Sequence, residues 1–257
     1  MIRLKTPAEI EEMARSGALV AECLWLAREM VKPGVTTAEI NAAVERLIEK
    51  AGARAAFKGF LGPESAPPFP TACCMSLDKQ VVHGIPNATP LKEGQILSVD
   101  IGVELNGWYG DAARTFIVGK KVEPGIQELV ETTRGALENV IEFIRIGEFL
   151  STIGYKIQTF VEAHGFSVVR ELVGHGIGRD LHEAPQVPNF GNPGHGLRLR
   201  EGMVIAVEPM VNLGVAEVVV LRDGWTVVTA DGKPSAHFEH TIAVTSNGPR
   251  VLTLDPN

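Results

Sequence analysis

Five residues in the last two-thirds of the chain have side chains that bind metal ions, and four of the five are carboxylates. Each carboxylate lies in or beside an apolar, strand-like run, where an ionised side chain is unfavourable unless an opposite charge compensates it. Too few Lys and Arg residues lie nearby in the sequence to compensate four acids. A pair of divalent cations would do so. The candidate ligands are Asp100, Asp111, His175, Glu208 and Glu239.

The first two of these acids flank a predicted β-hairpin. Asp100 and Asp111 lie on either side of Asn106-Gly107, a pair that is typical of two-residue hairpin turns. Such a turn predicts strand partners whose residue numbers sum to 213, so that Asp100 faces Ala113 and Asp111 lies diagonally on the same face. Diagonal neighbours are ~7–8 Å apart at Cα, close enough for both carboxylates to reach shared ions. A bulge would change this register, and two solvated aspartates are the alternative interpretation.

The other three candidates lie in the second half of the chain. His175 stands between two glycines, which allow close backbone approach, although such a histidine is about as often a loop residue as a ligand. Glu208 ends a continuous apolar run directly before Pro209, and Glu239 precedes another such run. An oxygen-rich set with one imidazole suits pairs of Mn, Fe, Co or Zn ions better than a structural zinc site. Two ions bridged by carboxylates can hold a hydroxide and orient a carbonyl, which indicates a hydrolase.

The elements that must position these residues begin with two predicted helices. Each opens on a capping box, the first from Thr6 and Glu9 and the second from Thr36 and Glu39. Pro33-Gly34 is expected to end the first helix. The second predicted helix and the glycines at its two ends recur 113 residues later in the chain. The two glycines and the apolar face of the helix are repeated at that offset, which indicates an internal duplication.

The strand regions of the two halves also correspond, at a slightly different offset. The run from Glu93 to Asp100 resembles the run from Glu201 to Glu208, because a Glu-Gly turn leads into β-rich sequence that ends on a carboxylate. The duplication therefore predicts equivalent positions for Asp100 and Glu208. A pseudo-twofold arrangement would bring both to a shared central cleft.

Composition restricts the remaining classes of function. The chain has 257 residues, 45% hydrophobic and 21% charged, which is typical of a globular protein with a substantial core. A net charge of −7 gives no general attraction to nucleic acid. Three cysteines without CxxC spacing favour a reducing compartment, and the N-terminal segment lacks an apolar signal sequence. We therefore expect a cytoplasmic protein without a membrane span.

With these residues in place, the chain resembles the type I methionine aminopeptidases of peptidase family M24 over essentially its whole length. The resemblance implies the pita-bread fold, an α+β architecture in which duplicated αβ halves surround a central curved, mainly antiparallel sheet. It implies one catalytic domain, residues 1–257, with pseudo-symmetric halves of approximately 1–120 and 121–257. The motifs that carry the resemblance are VVHGIP at 81–86, VVRELVGHGIGRDLHEAPQVPNF at 168–190, EGMVIAVEPMVN at 201–212, DGWTVVT at 223–229 and FEHTIAVT at 238–245, together with the runs around the two aspartates.

The resemblance also implies a role for each candidate ligand. Two divalent metal ions (Co, Mn, Fe or Zn) would be bridged by Asp111 and Glu239, with Asp100 on one ion and both His175 and Glu208 on the other. The bridging water or hydroxide would be the nucleophile, and Glu208 would accept its proton. His182 would contact the scissile peptide and His83 would contact the substrate on the other side of that bond; loop histidines with structural hydrogen bonds are the alternative. The methionine pocket is expected to involve Phe69, Cys74, His83, Leu181, His182 and Trp225, although Phe69 and Leu181 could equally be core residues.

The implied function is metal-dependent removal of N-terminal methionine from nascent proteins and peptides, with a preference for a small second residue. The expected partners are nascent chains that begin with Met. The protein itself is expected to be a monomer without direct nucleic-acid binding. A transient association with the ribosome is consistent with such substrates. Another hydrolase of the family, such as a proline-specific aminopeptidase, is one alternative. A non-catalytic pita-bread protein that binds peptides or partners is the other, although such proteins are expected to lose metal ligands.

Overall fold

The computed structural model describes residues 2–62 and 66–255. Within these residues the chain forms four α-helices and fifteen β-strands. The helices are α1 (Pro7–Met30), α2 (Thr37–Lys50), α3 (Pro124–Ile141) and α4 (Leu150–Ala163). The strands are β1 (Arg54–Ala55), β2 (Cys74–Leu77), β3 (Gln80–Val82), β4 (Ile96–Leu105), β5 (Trp108–Ile117), β6 (Ser167–Val168), β7 (Gly174–Gly176), β8 (Glu183–Val187), β9 (Val204–Val207), β10 (Met210–Asn212), β11 (Val218–Val220), β12 (Val227–Thr229), β13 (Ser235–His237), β14 (His240–Thr245) and β15 (Gly248–Val251).

Both predicted capping boxes are present. The hydroxyl of Thr6 accepts a hydrogen bond from the N–H of Glu9, whose carboxylate accepts one in return from the N–H of Thr6. The same exchange opens α2 between Thr36 and Glu39. The predicted stop of α1 is confirmed, because the helix ends at Met30, shortly before Pro33-Gly34. A residue directly before proline is disfavoured in the helical region, so the chain must leave the helix earlier.

The strands form antiparallel sheets that join at the middle of the molecule. One sheet has β4 at its centre, with β5 along one side and both β1 and β2 along the other. A second follows the order β15-β14-β9-β7-β8. Backbone hydrogen bonds between Ala113 of β5 and Glu239, just before β14, connect the two sheets. Smaller sheets, β13-β10-β6 and β11-β12-β3, lie beside them.

The duplication appears as a repeated backbone. The bounds of α4 follow those of α2 at the predicted offset of 113 residues. Gly34 and Gly147, which precede these helices, both adopt positive φ, at 92° and 89°. An isolated bridge joins Thr36 to Pro90, and its counterpart joins Phe149 to Arg198. The correspondence read from the sequence is therefore present in the structure, including the different offset of the strand regions.

Each half has its own apolar core, and a third cluster lies between them. Residues of α1 and α2, such as Val20 and Ile40, pack on β4. Residues of α3 and α4, such as Leu129 and Ile153, pack on β9 and β14. The third cluster gathers aromatic and aliphatic residues from both halves around the cavity described below. The two cores hold the sheets rigidly on either side of that cavity.

The two ends of the chain pack against each other. Gly17 in α1 lies so close to the strand end at Leu252 that a Cβ at this glycine would be 2.2 Å from the Leu252 carbonyl oxygen. Glu11 of the same helix forms an ion pair with Arg250 of β15. Among the residues that the structure describes, no helix has the length and apolar character needed to cross a bilayer.

Candidate metal centre and substrate cavity

A cavity of about 360 Å³ opens between the two halves of the molecule. Every residue that the sequence singled out for the site contributes to its lining. We call the side with the acids the acidic wall; it comprises Asp100, Asp111, His175, Glu208 and Glu239. We call the opposite side the apolar wall; it comprises Phe57, Phe60, Phe69, Cys74, Leu181 and Trp225.

The hairpin of the acidic wall has the predicted register. Asn106 and Gly107 both adopt positive φ, at 54° and 76°, as a two-residue hairpin turn requires. Asp100 faces Ala113, and the ladder runs without a bulge from the turn to the end of both strands. Asp111 is fixed further by Thr241 of β14, whose hydroxyl accepts from the Asp111 N–H at 3.1 Å and donates to its carbonyl at 2.8 Å. The two aspartates therefore project from a rigid frame toward one point.

His175 is oriented by its own strand. A Cβ at Gly174 or Gly176 would lie 2.3 Å from the carbonyl oxygen of a neighbouring strand, so only glycine permits this packing on both sides of the histidine. Nδ1 lies 2.9 Å from the carbonyl oxygen of Gly176. Because a carbonyl only accepts, Nδ1 carries the proton and Nε2 keeps its lone pair. Nε2 points at the acids, 3.9 Å from Asp111 Oδ2 and 3.7 Å from Glu208 Oε1.

The two glutamates come together at one end of a strand pair. His240 of β14 pairs with Val207 of β9, which places the preceding Glu239 and the following Glu208 side by side. Arg114 fixes the backbone here, since its guanidinium donates to the carbonyl oxygen of Glu239 at 2.7 Å. The structure thus brings all five candidate ligands to one wall, from both halves of the duplicated chain.

The acidic wall is electrostatically unfavourable without a counter-charge. Burial raises the pKa of Asp111 to about 7. Burial, and then repulsion from Asp111, raises the pKa of Asp100, Glu208 and Glu239 well above the ordinary value of a carboxyl group. One oxygen each of Asp100, Asp111 and Glu239 is buried without a hydrogen-bond partner among the described residues. Burial, reinforced by His182, lowers the pKa of His175 to about 3, so this imidazole is neutral.

These observations fit a site for divalent cations. Asp111, His175 and Glu239 each offer one ligand atom, and the three atoms lie within 4.8 Å of one another. Asp100 and Glu208 lie beside this group and line the same cavity. Buried carboxylate oxygens without partners, together with an imidazole lone pair, are the donors that Mn, Fe, Co and Zn accept. A cation would also oppose the burial that raises all four carboxyl pKa values and the repulsion from Asp111 that raises three of them further.

The apolar wall is held by aromatic packing and by one anchored indole. The rings of Phe69 and Trp225 meet edge to face at 5.2 Å, and Trp225 Nε1 donates to the carbonyl oxygen of Pro67 at 2.7 Å. Cys74 of β2 pairs with Asp100 and so lies where the two walls meet. Phe69 and Leu181 are both buried and line the cavity.

The sequence analysis missed Phe57 and Phe60, which also belong to the apolar wall. Both lie in or beside the stretch at 58–70, whose prolines and glycines are typical of a surface loop. Two backbone hydrogen bonds join the ends of this loop: the N–H of Gly59 donates to the carbonyl oxygen of Phe69, and the N–H of Phe69 donates to the carbonyl oxygen of Phe60. This closure turns the Phe60 ring onto His182, at 5.2 Å between ring centres. Residues 63–65 of the loop lie outside the described residues.

Two further histidines lie over the acidic wall. The ring of His182 is 4.3 Å from that of His175, and burial lowers the pKa of His182. Burial, reinforced by His182, lowers the pKa of His83 to about 4. His83 has a φ of 58°, an unusual conformation for a residue other than glycine, which aims its ring into the cavity beside Trp225. Both imidazoles are thus neutral hydrogen-bonding groups at neutral pH.

Comparison of the sequence with models of protein families identifies the family of this chain. The model of metallopeptidase family M24 matches residues 11–246. The chain belongs to this family. The methionine aminopeptidase of Clostridium perfringens is 50% identical to this M24 chain over 254 residues, covering 99% of both chains. Methionine aminopeptidase 1 of Bacillus subtilis is 47% identical, covering 98% of this chain and 99% of its own.

Solved structures agree with the family assignment and confirm the predicted pita-bread fold. The crystal structure of methionine aminopeptidase from Rickettsia prowazekii superposes on this M24 chain with a TM-score of 0.94 at 42% identity, covering 99% of this chain and 100% of that one. The methionine aminopeptidase of Thermotoga maritima gives the same TM-score at 47% identity, covering 98% and 99%. A prolidase from Pyrococcus horikoshii gives 0.77 at 21% identity, covering 99% of this chain and 64% of that one, and shares the fold alone.

Proposed function

We propose that this protein removes N-terminal methionine from polypeptides by metal-dependent hydrolysis. The observation that carries the proposal is the convergence of four buried carboxylates and one neutral imidazole on one wall of a cavity whose other wall is apolar. The 50% identity to a methionine aminopeptidase over the full length supports the same activity.

In this proposal two divalent ions would share Asp111 and Glu239 as ligands, while Asp100 would hold one ion and His175 and Glu208 would hold the other. The identity of the ions, among Co, Mn, Fe and Zn, is set by availability as well as affinity. Ions bound there would act as Lewis acids on the scissile carbonyl and provide the attacking nucleophile at neutral pH. Without a compensating charge these acids would have to protonate, as the raised pKa values of all four indicate.

The surrounding residues then bind and orient the substrate. Glu208 would accept the proton of the attacking nucleophile, since its side chain is 15% exposed and lines the cavity. His182 donates a hydrogen bond to the scissile peptide, and His83 contacts the substrate from the other side. Both remain neutral, so they can donate to developing negative charge without repelling the metal ions.

The apolar wall selects the methionine side chain. Phe69 and Trp225 present ring faces and edges, and a thioether packs favourably against such rings. Cys74 and Leu181 complete a pocket of low polarity that an ionised side chain cannot enter without losing its hydration. We expect the second residue of the substrate to lie toward the acidic wall and to be small, because a bulky side chain would collide with that wall.

We also propose that residues 1–257 act as one catalytic domain, with the halves 1–120 and 121–257 meeting at the cavity. A monomer suffices because every residue assigned a role comes from one chain. The protein would work in the cytoplasm and meet nascent chains near the ribosome, since that is where unprocessed N-termini occur. The proline-specific alternative rests on fold similarity alone, at 21% identity.

The test is release of free methionine from the peptides Met-Gly-Met-Met and Met-Lys by protein stripped of metal and then given Co, Mn or Fe. We expect metal-dependent cleavage of the first peptide only. Asp111→Asn should abolish it, whereas the same acid-to-amide change at the exposed Glu131 should not. Absence of release with every metal, from folded protein that binds metal, would contradict the proposal and favour a peptide-binding role.

A further inference from the structure

A fourth imidazole, that of His237, lies beside the acidic wall, and neither the sequence analysis nor the proposed reaction uses it. His237 ends β13 and is 1% exposed. Neither of its ring nitrogens has a hydrogen-bond partner among the residues that the structure describes. Leaving buried polar atoms unpaired costs about 1–3 kcal/mol, so an imidazole here calls for an explanation.

The nearest acid is Glu208. His237 Nε2 lies 3.8 Å from Glu208 Oε2, while His175 Nε2 lies 3.7 Å from the other oxygen, Oε1. The Glu208 carboxylate is therefore between two imidazoles, one on each oxygen. Its backbone is fixed separately, because the side-chain amide of Asn189 donates to the Glu208 carbonyl oxygen at 2.9 Å. Only the carboxylate can still rotate, and His237 faces the oxygen that His175 does not.

The backbone of His237 is fixed to the hairpin that carries the two aspartates. Its N–H donates to Thr115 Oγ1 at 2.9 Å, and that hydroxyl donates to the His237 carbonyl at 2.8 Å. The Ser98 hydroxyl lies 2.8 Å from Thr115 Oγ1, and because the Thr115 proton is already used, Ser98 is the donor. Thr241 holds the backbone of Asp111 by the same pair of hydrogen bonds, one accepted and one donated by its hydroxyl. The imidazole is thus held at a fixed position relative to Asp100, Asp111 and Glu208.

We propose that His237 is a positioning residue that donates Nε2–H to Glu208 Oε2 and so directs Oε1 toward the ion that Glu208 shares with His175. A small rotation of the carboxylate closes the present separation to hydrogen-bond length. Groups that hydrogen-bond to metal ligands fix ligand orientation, and their removal typically weakens metal binding about 10–100-fold. The inference rests on the proposed metal site and adds to it the group that orients one ligand.

The experiment measures metal binding itself. Co²⁺ is titrated into metal-free protein while the visible absorption of the bound ion is followed, and Mn²⁺ binding is measured by calorimetry. His237→Leu removes the donor at similar volume, and His237→Gln keeps an N–H of similar reach. Phe238→Leu is the matched control, because this neighbour is buried in the apolar core of the second half and not at the site.

We expect His237→Leu to weaken one of the two Co²⁺ binding events about 10–100-fold. His237→Gln should stay within about threefold of the wild type, given that an amide donor replaces the imidazole. At saturating Co²⁺, kcat for Met-Gly-Met-Met should fall in His237→Leu while KM is unchanged. The metal-free His237→Leu protein should resist urea at least as well as the wild type, because an unpaired buried polar group has been removed.

Three results would overturn the proposal. They are wild-type Co²⁺ affinity in His237→Leu, equal weakening in His237→Leu and His237→Gln, or loss of metal affinity in proportion to loss of metal-free stability. If His237→Leu does not fold, His237→Gln and the shorter His237→Asn decide the question, since only the former reaches Glu208. Failure of the proposed function looks different: the wild type itself would bind no metal or release no methionine.

Discussion

The two walls of the cavity are stabilised in opposite ways. The acidic wall consists of side chains on or beside strands of the two main sheets, held in position although their charges repel each other. The apolar wall consists largely of loop residues whose rings pack on one another, and it is stable without any ligand. The comparison teaches that the candidate metal ligands are positioned by the scaffold at a cost in stability, whereas the proposed methionine pocket contributes to stability as any core cluster does.

The sharpest test of this difference is Glu239→Gln. Removing one ligand should lower kcat/KM on the order of 10³-fold, because it takes away several kcal/mol of charge stabilisation. The same change should stabilise the metal-free protein by about 1 kcal/mol, since it removes a buried acid that folding forces to take up a proton when no cation is bound. Activity assays and urea unfolding without metal measure the two effects. A loss of stability in metal-free Glu239→Gln, with Glu131→Gln unchanged, would break the comparison.

Metal removal should affect one wall only. At a free ion concentration 100 times the Kd, binding to the folded state adds about 2.7 kcal/mol to the free energy of unfolding. Hydrogen exchange should show that metal protects the amides of residues 111–113 and 239–241, which carry ligands. The amides of residues 59, 60 and 69 in the loop of the apolar wall should exchange at the same rate with and without metal. Equal protection of both segments would mean that the walls are not independent.

A truncation in the apolar wall should give the reverse pattern. Leu181→Ala removes part of the methionine pocket and should raise KM about tenfold or more, because one missing group in an apolar pocket is worth about 1–3 kcal/mol. Co²⁺ affinity should remain that of the wild type. Steady-state kinetics and the Co²⁺ titration provide the two measurements. A large loss of Co²⁺ affinity would show that the pocket supports the ligands as well.

The smallest effect is expected far from both walls. Thr6→Ala removes the cap of α1 and should cost about 1 kcal/mol of stability at neutral pH, without changing KM or metal affinity. Hydrogen bonds from Thr6 lower the pKa of Glu9 below its ordinary value of 4.5. The stabilisation from these hydrogen bonds to ionised Glu9 is therefore present above pH 4.5 and is lost as the pH falls through the lowered pKa of Glu9. Urea unfolding of both proteins at neutral and acidic pH should show the difference shrinking.

The parts of the molecule that the sequence predicted are those with local causes. The Asn106-Gly107 turn fixes the register of β4 and β5 by itself, and the capping boxes fix the starts of α1 and α2. The duplication allowed one prediction about distant residues, namely that Asp100 and Glu208 come from equivalent positions in the two halves. The five candidate ligands could be identified because an acid in an apolar run is conspicuous in any sequence.

What the sequence could not predict depends on contacts between distant segments. Phe60 looked like a loop residue, because nothing local shows that the loop closes on Phe69 and turns the ring onto His182. His237 looked like any polar residue before a strand, since its relation to Glu208 exists only after β13 pairs with β10. Such residues become visible when the burial and the hydrogen-bond partners of each polar atom are known.

The packing of the first helix on the end of the chain has a consequence for how the protein is made. Gly17 contacts Leu252, and Glu11 pairs with Arg250, across a separation of more than 230 residues. Contacts of this kind form last when a chain is synthesised from its N-terminus, and such long-range closure slows folding. This surface of α1 therefore stays uncovered until residues 250–252 have been synthesised and can pack on it. A released chain that ends before residue 250 should accordingly expose α1 to protease, and lengthening it past residue 252 should protect the helix.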